Sequence, residues 1–146
     1  MLFRSAADAV IAFQAGRLPR GRNVVLMGGS GGSAAVFADA ADDHGLELPP
    51  PAPDTLAVLQ QSLPALSSLH NPIDYTAGYP RPDVADGFAR AFAAVLAAPD
   101  YHQLGVMYAP IMGPQLELGA QLLADAAAAS DKPAFVFSAK IGRAHV

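Results

Sequence analysis

Short apolar runs alternate along this chain with longer segments of helical periodicity, and this alternation restricts the possible folds more than any other feature. Three uncharged runs have the length and composition of strands buried in a parallel sheet. They are NVVLM (23–27), QLGVMY (103–108) and AFVFS (134–138). Glycines and prolines separate these runs from segments of helical spacing at 33–44, 53–63, 82–98 and 114–130. Because parallel strands joined by helices need right-handed crossovers, the pattern predicts a doubly wound α/β domain.

The remaining elements fit the same architecture, a flavodoxin-like parallel sheet of four to five strands with helices on both faces. LELPP (46–50) is predicted as a short second strand, and HNPIDYTAG (70–78) as a turn around a short extended piece. A further helix is predicted at 6–15, because Gly16 supplies a helix stop. Ligands of such sheets bind beyond the carboxyl ends of the strands, where the strand order reverses. The predicted site is therefore the loop after the first strand.

Composition excludes several classes of function. The chain has no cysteine, so disulfides, zinc–thiolate sites and cysteine nucleophiles are excluded, and we predict a cytoplasmic location, with which this is compatible. A net charge of −4 without a basic cluster argues against binding to nucleic acid or to an anionic membrane surface. No apolar run approaches the roughly 18–20 residues that cross a bilayer. With 52% hydrophobic residues, the chain is expected to fold around a core.

The two ends of the chain differ from the rest. The opening MLFRS and the closing IGRAHV resemble translations of a short sequencing adapter. We therefore expect residues 1–5 and 141–146 to be non-native. Residues 6–140 are then expected to form one domain, which is a fragment of a larger multidomain protein.

The loop after the first strand reads GGSGGS, Gly28–Ser33, and is called the glycine loop below. Its spacing Gly28-x-Ser30-x-Gly32 matches the nucleophile elbow of a hydrolase, in which an aspartate and then a histidine follow along the chain. Asp74 or Asp100 followed by His102 are the candidates for those two roles. However, the hydrolase fold needs several strands before its elbow, and His102 is expected at the amino end of a strand. A serine hydrolase fragment with Ser30 as nucleophile is therefore the weaker reading.

The same loop also fits an anion-binding turn. Glycines let successive backbone N–H groups approach an anion, and the helix that follows adds the positive end of its dipole. Ser30 and Ser33 supply hydroxyl donors or a helix cap. A P-loop is excluded, because no lysine follows the glycines. A tight turn with a serine cap and no ligand is the alternative without a function.

Three stretches in a fixed order carry a resemblance to a known family. They are GRNVVLMGGSGGSAAVFADAADDHGLELP, PDTLAVLQQSLP and NPIDYTAG, and together they span most of the chain. They resemble the flavodoxin-like, succinyl-CoA synthetase-like domain of NDP-forming acyl-CoA synthetases, which include the ADP-forming acetate–CoA ligases. Such enzymes convert an acid, CoA and a nucleoside triphosphate into acyl-CoA, a nucleoside diphosphate and phosphate, through an acyl phosphate and a phosphohistidine.

The resemblance implies a role for this domain without a catalytic residue of its own. The phosphorylated histidine is expected in a preceding domain, and the glycine loop with its helix N-terminus, Gly28, Gly29, Ser30, Gly31, Gly32 and Ser33, is implied to stabilise the phosphohistidine. The partners implied are a CoA-binding Rossmann domain, a flavodoxin-like domain with the histidine loop, and an ATP-grasp domain. ATP or ADP, Mg²⁺ and CoA are implied for the full-length enzyme, and none is expected on this domain alone. A noncatalytic binding or regulatory module, for example fused to an acetyltransferase, is the alternative.

Other polar residues have weaker claims to function. Asn71 and Asp74 are possible members of the loop face of the site, although an Asn-Pro turn with a local Asp hydrogen bond is the favoured explanation. His44, His70 and His102 are predicted at a helix end, in a turn and before a strand. The acidic residues of one helix, Asp39, Asp42 and Asp43, are predicted to be solvated, so no metal site is expected.

Overall fold

The computed structural model describes residues 10, 13–14, 16–75, 80–108 and 114–138. The two suspected non-native ends lie outside these residues. Of the helix predicted at 6–15, residues 10, 13 and 14 are described and are helical. Gly16 follows in the left-handed region at φ 67°, as its predicted role as a helix stop requires. No helix in the described ranges is long and apolar enough to cross a membrane.

Within the described ranges, four parallel strands form one sheet in the order β2-β1-β3-β4. Their bounds are β1 Val24–Gly28, β2 Ile73–Asp74, β3 Gln103–Tyr108 and β4 Ala134–Ser138. This order confirms the predicted flavodoxin-like sheet. The chain passes from β1 to β2 on one side of β1 and then crosses to β3 on its other side. The strand order therefore reverses between β1 and β3.

Besides the helical residues 10, 13 and 14, four helices in the described part of the chain cover the two faces of the sheet unequally. Their bounds are α1 Gly31–Asp43, α2 Pro53–Ser62, α3 Ala85–Ala97 and α4 Pro114–Ala128. Helix α3 packs between α2 and α4. These three helices lie on the face that carries Val25 and Met27, which join the main core cluster. Helix α1 lies on the opposite face, where its Ala34 and Phe37 line a small cavity together with Leu26 and Gly28 of β1.

The core lies between the sheet and the three-helix layer. Its largest fully buried side chains include Tyr75, Phe88 and Phe92, and Tyr75 and Phe88 meet edge to face at 5.1 Å. Gly87 lies within α3 and is buried. A Cβ atom at this position would collide with the carbonyl oxygen of Ser62, so glycine permits the close approach of α3 to the end of α2.

The predicted second strand is the main correction to the sequence analysis. Within 46–50, only Glu47 joins the sheet, through a one-residue bridge to Asn23 before β1. The neighbour of β1 along the rest of its length is β2, which lies in the segment predicted as a turn around an extended piece. Three prolines follow Leu48 and remove the backbone donors that a longer ladder needs, so the edge of β1 is shared by two separate segments.

Candidate functional site

The glycine loop lies at the carboxyl end of the sheet, beside the point of strand reversal. In the ladder, Gly28 pairs with Asp74 of β2 on one side and with Met107 of β3 on the other. Residues 29 and 30 then turn the chain, and α1 begins at Gly31. The N-terminus of α1 is therefore placed where doubly wound proteins bind their ligands, as the sequence analysis predicted.

The first backbone amides of α1 have no acceptor in the described structure. Ser30 is the N-cap residue in extended conformation (φ −154°, ψ 114°), but its side chain makes no capping hydrogen bond. Among the described residues, the two loop hydroxyls bond only to each other, with Ser33 Oγ donating to Ser30 Oγ at 3.4 Å. The first backbone hydrogen bond of α1 runs from the N–H of Ala34 to the carbonyl of Ser30, at 3.0 Å. The N–H groups of Gly31, Gly32 and Ser33 thus remain available to an anion.

The glycines of this loop allow neighbouring atoms to approach the backbone closely, and they do not adopt left-handed backbone angles. Among the described residues, glycine φ angles are positive at Gly16 and Gly45 and not in the glycine loop. A Cβ at Gly28 would lie 3.3 Å from both the carbonyl oxygen and the Cε of Met107, so a side chain there would press on β3. A Cβ atom at Gly32 would have no neighbour within 4 Å, so there is open space beside the first turn of α1.

Asp74 places a carboxylate directly beside this helix N-terminus. Because it pairs with Gly28, its side chain lies on the α1 face of the sheet. A Cβ at Gly31 would lie 3.0 Å from Asp74 Oδ2. The other oxygen, Oδ1, is buried and has no hydrogen-bond partner in the described part of the chain. The structure therefore brings the side chain of Asp74 beside the glycine loop, which is one of the two alternatives that the sequence offered for this residue.

Asn71 lies further down the same edge and bonds the backbone of its neighbours. Its Oδ1 accepts from the N–H of Leu26 at 3.0 Å, and its Nδ2 donates to the carbonyls of Val24 at 2.8 Å and Pro49 at 3.1 Å. The side chain thus fills the gap between the Glu47 bridge and β2. These three bonds account for the asparagine without a ligand.

The structure does not assemble Ser30 with a histidine. His102 lies just before β3, at the amino end of the sheet, where its Nδ1 accepts from the N–H of Asn23 at 3.1 Å. His44 caps the end of α1 through its backbone N–H, and His70 is an exposed residue in the turn before β2. Asp100 also lies at the amino end, where its carbonyl accepts from the side chain of Asn23. The geometry of a catalytic triad around Ser30 is absent from the described residues.

Buried ionisable groups occur mainly away from the glycine loop. Burial raises the pKa of Tyr101 to about 12, with a smaller contribution from the nearby Asp100. Burial also raises the pKa of Tyr108, whose hydroxyl is enclosed at the carboxyl end of β3. Desolvation lowers the pKa of Lys132, whose Nζ donates to the carbonyl of Ala98 at the end of α3. In the described ranges, no group of three acidic or histidine side chains, including the acidic residues of α1, is placed to hold a metal ion.

Comparison with known proteins assigns the chain to a family. The family model of the Ligase-CoA domain, which describes sequences, matches residues 24–140 of this chain. The alpha subunit of acetate–CoA ligase [ADP-forming] I from Pyrococcus furiosus is 33% identical over 92 residues, which are 62% of this chain and 18% of the relative.

Solved structures give the same result. PH0766 from Pyrococcus horikoshii superposes with a TM-score of 0.74 and 26% identity, over 87% of this chain and 29% of that one. The dinucleotide-forming acetyl-coenzyme A synthetase 1 of Ca. Korarchaeum cryptofilum, solved with phosphate and ADP, superposes with a TM-score of 0.70 and 25% identity, over 83% and 26% of the two chains. The chain thus spans less than a third of the length of these relatives. It belongs to the Ligase-CoA domain family of the NDP-forming acyl-CoA synthetases.

Proposed function

We propose that this domain supplies the phosphohistidine-stabilising helix N-terminus of an NDP-forming acyl-CoA synthetase. The longer protein converts an acid, CoA and ATP or another nucleoside triphosphate into acyl-CoA, a nucleoside diphosphate and phosphate. A histidine from a preceding domain carries the phosphoryl group, and the glycine loop binds that group while it is transferred. The domain alone is inactive in this proposal.

The three free amides at the start of α1 are the observation that supports this role. The N–H groups of Gly31, Gly32 and Ser33 precede the first hydrogen bond of α1, a Cβ atom at Gly32 would meet nothing within 4 Å, and no acidic residue lies in the first turn of α1. Such a helix end stabilises an anion by about 0.3–1 kcal/mol when exposed and by up to about 2 kcal/mol when partly buried. The donors are backbone groups on a rigid element, so they need no rearrangement when the phosphoryl group arrives.

The residues present fit a phosphoryl group better than a whole nucleotide or CoA. The glycine loop offers N–H and hydroxyl donors of the kind that phosphate oxygens accept. ATP, Mg²⁺ and CoA belong, in this proposal, to the other domains of the synthetase, namely an ATP-grasp domain, a CoA-binding Rossmann domain and a flavodoxin-like domain with the histidine loop. The related synthetase that was solved with phosphate and ADP supports the class of ligand, since its name gives both.

Phosphorylation of a histidine tests the proposal. The longer protein that carries this domain is incubated with ATP and Mg²⁺, and the acid-labile, alkali-stable phosphoryl group is mapped by mass spectrometry. We expect a phosphohistidine outside this domain, which disappears when the acid substrate and CoA are added. If no histidine is phosphorylated, the noncatalytic binding or regulatory module is the better account.

A further inference from the structure

The carboxylate of Asp74 is the feature of this site that a simple anion-binding loop does not explain. It lies against Gly31, beside the three free amides that the proposed function assigns to a phosphoryl group. In the described part of the chain, no lysine or arginine forms a salt bridge with it, and the two ion pairs found there are Arg20–Asp131 and Arg81–Asp83. A negative charge is therefore fixed where another negative charge is to bind.

Backbone hydrogen bonds fix the position of Asp74 at the edge of β1. The N–H of Asp74 donates to the Ser68 carbonyl at 2.9 Å, and its own carbonyl accepts from the Ser68 N–H at 2.8 Å. The next residue, Tyr75, donates its N–H to the Gly28 carbonyl at 2.9 Å. The backbone of Asp74 is thus tied to Ser68 on one side and, through Tyr75, to β1 on the other. Because Oδ1 is also buried, water screens the charge poorly.

We propose that Asp74 is a specificity-determining residue, which restricts the glycine loop to a phosphoryl group attached to a protonated imidazole. This inference rests on the proposed function and names its ligand more narrowly. A protonated phosphohistidine presents a dianion to the amides of α1 and a ring N–H with positive charge to Asp74. Free phosphate and the terminal phosphate of a nucleotide present only negative charge, so Asp74 repels them. The loop then holds the phosphorylated histidine and excludes the phosphate of the solvent.

Two ligands on the 146-residue chain test this assignment. The chain is labelled with ¹⁵N, and the amide signals of Gly31, Gly32 and Ser33 are followed at low salt and pH 6. The ligands are inorganic phosphate and imidazolylmethylphosphonate, a stable analogue of phosphohistidine whose ring is protonated at this pH. We expect the analogue to bind the wild-type chain at least tenfold more tightly than phosphate does. The attraction or repulsion between unit charges a few ångströms apart near a protein surface is large enough to change an affinity by this factor. Equal affinities overturn the inference, whatever the behaviour of the variants.

The matched variants are Asp74→Asn and Asp125→Asn, which change the net charge equally. Asp125 lies in the last turn of α4, where it accepts from Gln121, and α4 runs away from the carboxyl end of the sheet. Asp74→Asn is expected to bind inorganic phosphate at least tenfold more tightly than the wild type and to lose the preference for the analogue. Asp125→Asn is expected to behave like the wild type, and a thermal unfolding curve for each variant verifies the fold.

The possible failures separate this inference from the proposed function. If phosphate binds the wild type as tightly as Asp74→Asn, the loop accepts anions and the proposed function stands, but Asp74 does not select among them. If neither ligand shifts the three amide signals in any variant, both the selection by Asp74 and the anion-binding role of the loop are overturned. An equal gain in Asp125→Asn identifies an effect of net charge and also overturns the inference.

Discussion

Replacement of Asn71 by alanine is expected to destabilise the domain strongly, although the residue lies in a turn. The side chain makes three hydrogen bonds to the backbone, to the N–H of Leu26 and to the carbonyls of Val24 and Pro49. A hydrogen bond contributes about 1 kcal/mol net to stability. The loss of three therefore predicts a loss of about 3 kcal/mol, a large share of the roughly 5–15 kcal/mol that stabilises a typical domain.

Urea unfolding measures this loss directly. With an m-value of about 2 kcal/mol/M, the midpoint of unfolding is expected to fall by about 1.5 M. Asn71→Asp distinguishes hydrogen bonding from packing, because it keeps the size of the side chain and the acceptor for Leu26 but loses both donors. It is expected to destabilise at least as much as alanine, since a carboxylate then faces two carbonyl oxygens.

Asn23→Ala is the control, since the Asn23 side chain donates one exposed hydrogen bond, to the carbonyl of Asp100 at 2.9 Å. Its loss is expected to cost less than about 1 kcal/mol. If Asn71→Ala costs no more than this control, the side chain does not seal the edge of β1, and a role for Asn71 in binding regains weight.

Three further outcomes follow from the packing and the buried tyrosines. Gly87→Ala is expected to destabilise by about 1–3 kcal/mol in thermal unfolding, because the new methyl group collides with the Ser62 carbonyl and drives α3 from α2. Gly32→Ala is expected to cause no loss, since its Cβ meets nothing, and a loss equal to that of Gly87→Ala would show that steric fit is not the cause. The raised pKa of Tyr101 means that the folded state holds this proton more tightly than the unfolded state, so stability is expected to fall between pH 10 and about 12. The fall attributable to Tyr101 is about 2–3 kcal/mol, from roughly 1.4 kcal/mol per pKa unit, and unfolding curves of Tyr101→Phe that decline equally would contradict it.

The fold was predictable because its signals are local. The uncharged runs 103–108 and 134–138 coincide with β3 and β4, and Pro53 and Pro114 begin helices as their positions indicate. Local signals also misled at two helix starts. Helix α1 begins at Gly31 rather than at residue 33, because tertiary placement overrides the low helix propensity of glycine, and α3 begins at Ala85 after a turn that includes Pro82.

The edge of β1 was not predictable from periodicity. Residues 46–50 have the composition of a strand, yet only Glu47 pairs, and Ile73–Asp74 takes the remaining positions. The arrangement depends on hydrogen bonds from the Asn71 side chain to the backbone of Pro49, Leu26 and Val24. These partners are 22, 45 and 47 positions away from it in the sequence. Contacts of that kind depend on register and on long-range packing, which no window of sequence reports.

The position of the candidate site was predictable from the sequence, but the placement of a carboxylate beside it was not. The strand–glycine–helix order indicated the position of an anion site at the carboxyl end of β1, and the free amides lie there. The approach of Asp74 to Gly31 follows from the pairing of Gly28 with Asp74, which the sequence does not specify. The same register explains the need for glycine at position 28, through Met107 on the other side.

The most direct test of the central claim, that the amides of α1 hold the phosphoryl group, uses two variants at one open position. Gly32→Asp places a carboxylate in the first turn of α1, where space is free and the helix dipole favours it, so the fold is retained. Gly32→Asn adds a side chain of the same shape without the charge. In the longer protein with ATP and Mg²⁺, we expect Gly32→Asn to form phosphohistidine and Gly32→Asp to lose most of it. If Gly32→Asp is phosphorylated as well as Gly32→Asn, the glycine loop does not bind the phosphoryl group.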